Sequence, residues 1–171
     1  VRRIICEIPS NSLRGIYKSL YNRTIKSNQK DYYYKIVSFF EKIKTRDKII
    51  SDKEFKQALI YKPLYKKPIC KFILSTIENS TKEKIDILNL TIEHILPQKE
   101  NSVVWKEEIG KNYKEVYELY LHTLGNLTIT GLNSELGTKP FLEKKKIISE
   151  NSKANILNNL ILKSNTWNEE T

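Results

Sequence analysis

Two short runs break an otherwise helical pattern in this chain, and they limit what it can fold into. Leu88, Leu90 and Ile92 alternate with Asn89, Thr91 and Glu93, and residues 126–130 read NLTIT. Alternation of period two puts successive side chains on opposite faces, so the first run reads as a half-buried strand, and the second reads as another strand. The first runs into His94 and stops near Pro97, and Gly131 breaks the second. The two strands suit a hairpin with a later helix packed across it.

The rest repeats at helical spacing. Leu13, Ile16, Tyr17, Leu20 and Tyr21 make one apolar stripe, and Tyr33, Ile36, Val37 and Phe40 make another. Ser51 followed by Glu54 predicts a capping box, and Pro63 limits the helix after it. Cys70, Ile73, Leu74 and Ile77 mark a fourth helix. Between the strands, Tyr113, Val116, Tyr117, Tyr120, Leu121 and Leu124 predict a helix closed by Gly125 as its C′ residue. After Gly131 come a helix start at NSEL, a turn at Gly137, and a longer helix with Thr138 as N-cap and Pro140 in its first turn. A last helix carries Leu157, Leu160 and Ile161, and the chain is expected to end after Trp167 without a packed terminus. The polar ENSTKEK at 78–84 is the best internal boundary. The expected fold is therefore α+β and mostly helical, with a helical lobe over 1–87 and a hairpin-plus-helix region over 88–171.

Charge separates these halves. The chain has a net charge of +10; residues 1–90 hold 20 Lys/Arg against 9 Asp/Glu, and residues 91–171 hold 10 against 11. A basic lobe of this kind attracts phosphate backbones by counterion release and long-range steering. No apolar run reaches the length of about 18 residues a membrane helix needs, and VRRIICEIPS does not read as a signal peptide, so a cytoplasmic protein with no membrane partner is expected. Cys6 and Cys70 lie far apart with no CxxC pair, which argues against a disulfide framework or zinc site and for two buried thiols.

The chemistry-bearing residues gather around the two strands. Adjacent residues on a regular strand point apart, so Glu93 and His94 share a site only where the strand ends and the backbone turns. Taken singly, His94 reads as a strand-end histidine bonded to backbone, Asn126 as a turn residue and Asn133 as a helix N-cap. Taken together, they supply what phosphodiester hydrolysis needs. A neutral imidazole is a suitable base for water at cellular pH. One carboxylate and one amide oxygen make a sparse hard-oxygen site, suited to one Mg²⁺ or Mn²⁺ completed by water and phosphate rather than to zinc. His122, late on the predicted helix, can bind phosphate, support the site or sit as a partial cation at the helix end. Lys139, Lys144 and Lys145 can meet a DNA backbone or form a solvated face. The GIY at 15–17 falls on a helical stripe and has no YIG partner, which excludes a GIY-YIG nuclease.

With TIEHILPQ at 91–98 and HTLGNLTITGLNSELGTKPFLEKKKI at 122–147, the chain resembles the DUF1524 domain. This is a His-Me finger (HNH-type) nuclease module found at the C-terminus of GmrSD-like, DUF262-containing modification-dependent restriction proteins. VRRIICEIPSNSL also resembles the segment between the two parts of such proteins. The resemblance implies a ββα-metal core, with His94 as general base, Glu93 and Asn133 as metal ligands, and Asn126 as the asparagine that orients the site. It further implies cleavage of DNA, including modified DNA, with a 5′-phosphate product, and a DUF262 nucleotide-binding region or partner absent from this chain. Thr138 stands where the family pattern has an asparagine. A non-catalytic nucleic-acid-binding module and a partner-docking module are the competing expectations.

Overall fold

The computed structural model describes residues 1–9, 11, 13–24 and 31–171; Ser10 and Ser12 of the opening VRRIICEIPSNSL lie outside that set. The elements are α1 (Arg2–Ile5), α2 (Leu13–Thr24), α3 (Tyr32–Lys42), α4 (Asp52–Tyr61), α5 (Cys70–Glu78), β1 (Thr91–His94), α6 (Val103–Ile109), α7 (Tyr113–Tyr120), β2 (Leu127–Thr130), α8 (Asn133–Leu136), α9 (Phe141–Asn151) and α10 (Asn158–Lys163). The fold is α+β and mostly helical. No helix among the described residues is long and apolar enough to cross a membrane.

Two compact units divide the chain, Val1–Ala58 and Leu59–Thr171. This division lies upstream of the 87/88 boundary expected from the polar run. Helix α5 packs against β2, and Glu78 at its end accepts the backbone N–H groups of Asn155, Ile156 and Leu157. Both contacts tie α5 to the hairpin unit.

In the first unit the predicted capping box forms. Glu54 N–H donates to Ser51 Oγ (3.2 Å), and Ser51 N–H donates to Glu54 Oε2 (3.1 Å). Lys48, with the Ser51 bonds, holds the Glu54 carboxyl down at about 2. The stripes of α2 and α3 form as helices but bury little: no residue of α3 is fully buried, and Tyr17, Tyr21 and Tyr32 to Tyr34 are all exposed. Cys6 is only partly buried, against expectation; Cys70, in α5, is fully buried and its thiol is pushed up to about 11.

The second unit holds a core in which Ile95 and Leu96, just after β1, meet Trp105, Val116, Leu136, Phe141, Ile148 and Ile161. β1 and β2 pair antiparallel with Thr91 opposite Thr130, Ile92 opposite Ile129, Glu93 opposite Thr128 and His94 opposite Leu127. Ile95 N–H extends the ladder to Asn126 O at 3.0 Å. Because bonded and non-bonded pairs alternate, that bond turns the carbonyls of Ile92 and His94 away from β2, toward the open edge of β1.

Several local expectations are corrected here. The first strand begins at Thr91, because Leu88 N–H turns back to Asp86 Oδ1 (2.9 Å) and leaves the Leu88 side chain exposed. Helix α7 ends at Tyr120, so His122 lies beyond it in a turn, and Gly125 sits within a 3-10 turn over Leu124–Asn126 rather than in the left-handed C′ conformation. Gly137 does adopt a positive φ, +43°. Thr138 does not cap α9: Glu108, from the unforeseen helix α6, accepts Phe141 N–H with both carboxylate oxygens (3.2 Å). The C-terminal segment is packed, since Trp167 stacks on Phe141 at 5.4 Å.

Candidate active site

His94 closes β1 and is 3% exposed. Its Nε2 lies 3.2 Å from Nδ1 of His122. The Tyr65 ring packs edge-on to His94 (4.3 Å, 70°) and stacks on His122 (5.4 Å, 10°). The loop carrying Tyr65 is fastened to the same place, because the N–H groups of Leu64 and Tyr65 both donate to His122 O, at 2.8 and 3.2 Å. His122 thus meets His94, and its Nδ1 is engaged there.

Burial, then the neighbouring His122 and Lys144, pushes the His94 imidazole down to about 4. Burial and then Lys66 also lower His122. Both rings are neutral at pH 7. A stability effect follows with a defined sign. The unfolded chain takes up the His94 proton near the ordinary value of 6.5, before the folded chain does. Stability is therefore complete above that value and falls as pH drops toward about 4. The gap corresponds to about 3 kcal/mol. Urea midpoints measured from neutral pH down to about 5 should fall accordingly, and substituting His94 with phenylalanine should remove most of that slope.

Glu93 points the other way, sharing its face with Thr128 while His94 shares its face with Leu127. The two side chains diverge, as a regular strand requires. Glu93 Oε1 accepts from Nζ of Lys144 at 3.0 Å, and the same ammonium donates to His94 O at 2.7 Å. Lys144 is wholly buried, so it is not available to a DNA backbone as the sequence suggested. Its position was legible in part, since Phe141, Lys144 and Ile148 share one stripe of α9 and are its buried residues. Burial raises the Glu93 pKa against the pull of Lys144, and burial lowers Lys144 against the pull of Glu93.

Asn133 opens α8 and donates from Nδ2 to Ile92 O at 3.1 Å. Lys144 and Asn133 therefore take the two outward carbonyls that flank Glu93. Asn133 Oδ1 is buried and has no hydrogen-bond partner. A lone buried amide oxygen beside a carboxylate-bearing strand edge fits a hard divalent cation, whose remaining positions water and phosphate fill. Among the described residues no group of three or more His, Cys, Asp or Glu forms a metal cage.

Asn126 is fully engaged. Its Oδ1 accepts from Leu96 N–H (2.7 Å) and Trp167 Nε1 (3.1 Å), while Nδ2 donates to Leu96 O (3.0 Å) and Leu121 O (2.9 Å). It pins the turn after His94 to the segment that follows α7, and so acts by position. Lys139 is exposed and pairs with Glu143 at 3.3 Å, and Lys145 Nζ donates to Ser164 O at 2.6 Å. Tyr65 and Trp167 were not foreseen: both lie outside helices and strands, where no periodicity marks a buried face.

The family model for the C-terminal domain of GmrSD restriction endonucleases matches residues 49–171, which include every residue of this site. No curated protein and no solved structure gives a match. A hairpin ending in a buried neutral histidine, with an acidic residue on the opposite face of the same strand and an asparagine at its open edge, lies inside the matched span. The chain belongs to the family of GmrSD restriction endonuclease C-terminal domains.

Proposed function

We propose that the chain is the metal-dependent DNA-cleaving module of a modification-dependent restriction protein, of HNH (His-Me finger) type, with His94 as general base. The observation that carries this reading is a buried imidazole, kept neutral, at the end of the strand that also carries Glu93 on its other face, with the unpartnered Asn133 oxygen at that strand's outer edge. Glu93 and Asn133 would hold one Mg²⁺ or Mn²⁺, which when bound supplies Lewis-acid stabilisation of phosphate charge and of the departing oxygen. His94 takes the proton of the attacking water, and its low pKa keeps it in the accepting form at cellular pH. Asn126 holds the turn that fixes the His94 ring, and Lys144 balances the Glu93 charge. His94 is sheltered from bulk water, so the reacting water enters with the substrate.

Substrate affinity comes from elsewhere in the chain. Residues 1–58 hold 14 Lys/Arg against 6 Asp/Glu, whereas 59–171 hold 16 against 14. The basic unit grips the DNA backbone, and the exposed Lys139 of the hairpin unit meets phosphate as well. Recognition of modified DNA falls to a DUF262 nucleotide-binding region, on the same polypeptide or a partner, acting in the cytoplasm.

A second reading, a non-catalytic nucleic-acid-binding module, is favoured by the Lys144 ammonium on Glu93 and by the shelter of His94. Supercoiled plasmid, modified or not, incubated with the chain and Mg²⁺ or Mn²⁺ separates the two. The nuclease reading expects nicked or linear product that disappears when EDTA removes the metal. Retention of the plasmid in a gel shift with no metal-dependent product would support the binding module instead.

A further inference from the structure

We infer that His122 is a positioning residue for His94: it accepts the Nε2–H of His94, which fixes the tautomer and leaves His94 Nδ1 as the bare, proton-accepting nitrogen. This rests on the nuclease reading above and adds to it the identity of the working atom. Two neutral imidazoles 3.2 Å apart share one hydrogen bond, and it can run either way. If His122 Nδ1–H donated to His94 Nε2, both rings would carry the proton on Nδ1. Neutral imidazole side chains intrinsically prefer the Nε2–H form. With His94 donating, both rings adopt that preferred form.

The surroundings hold this arrangement in place. The backbone of His122 is fastened by Leu64 and Tyr65 N–H, and its ring lies flat on Tyr65, which also packs edge-on to His94. One loop thus sets the acceptor and braces both rings. The hydrogen bond to one ring nitrogen decides which nitrogen does the work at the other. His94 then takes a proton from water on Nδ1 while keeping Nε2–H on His122, so no proton has to leave first.

The chain has only two histidines, so nitrogen-15 NMR of the imidazoles gives two resolvable ring systems. The wild-type chain at neutral pH is expected to show His94 with Nε2 protonated and Nδ1 bare. In His122→Phe, which keeps an aromatic ring against Tyr65 but removes the acceptor, the His94 tautomers should mix. The kcat for plasmid nicking should fall about ten- to a hundred-fold, as for other partners that orient a working histidine, with KM little changed. His122→Asn, whose amide oxygen can accept in the Nδ1 position, should recover much of the rate. Protonated Nδ1 on wild-type His94, or a His122→Phe chain that nicks at the wild-type rate, would overturn the positioning role while leaving the nuclease reading intact. A wild-type chain that never nicks defeats the nuclease reading, and this role with it.

Discussion

Lys144→Ala is expected to lower the stability of the chain by about 3–5 kcal/mol, the range for breaking a buried ion pair from one side. Its ammonium is wholly buried and bonds both Glu93 Oε1 and His94 O. Removing it leaves a largely buried carboxylate without its cation and an outward carbonyl at the edge of β1 without its donor. The pair is not a source of net stability in itself, because burial shifts each group toward its neutral form despite the other. That predicts a second result. In Glu93→Gln with Lys144→Met, where no charge is left stranded, most of the loss seen in Lys144→Ala should return. Urea denaturation of both variants at neutral pH checks this, and a single-variant loss below about 1 kcal/mol would place the pair in solvent instead.

The parts of the fold that the sequence displays are those where one periodicity governs a whole element. Helices α2, α3 and α5 follow their stripes, and the α4 capping box forms with both bonds because its two partners are three residues apart. β2 appears where expected, whereas β1 is shortened because an Asp86 side chain captures the Leu88 N–H before the ladder can start. What stayed hidden depends on partners far apart in the chain. Glu108 caps α9 from 33 residues away, Trp167 reaches back 41 residues to Asn126, and Glu78 caps the approach to α10 from 77 residues away.

The candidate site divides along the same line. Glu93, His94, Asn126 and Asn133 were visible as residues near two strands, and the structure places them on one hairpin and its edges. Their arrangement was not visible. The imidazole and the carboxylate go to opposite faces of β1, with backbone carbonyls rather than side-chain contacts linking Glu93 to Asn133 and Lys144. Lys144 was misplaced on a solvated face because a lysine inside an apolar stripe is rarely buried without a carboxylate to meet it, and Glu93 lies 51 residues earlier. His122 was noticed as a residue but assigned to a helix end, since the break after Tyr120 has no glycine or proline to announce it.

The larger effect on activity belongs to His94. Proton transfer by a positioned base accelerates such reactions by about 10²- to 10⁴-fold; the neighbouring Glu93 carboxylate points to the opposite face of β1, and His122 is held as the hydrogen-bond partner of His94. The His94→Ala chain should therefore lose nicking by that factor while still retaining DNA, because the basic unit at 1–58 is untouched. Retention measured alongside cleavage shows that the variant still binds, and the urea midpoint shows that it is folded. The direct test is the nicking rate of supercoiled plasmid with Mg²⁺ or Mn²⁺ for the wild-type and His94→Ala chains side by side. A metal-dependent wild-type rate reduced at least about a hundred-fold in the variant is the predicted result; equal rates would contradict His94 as the base.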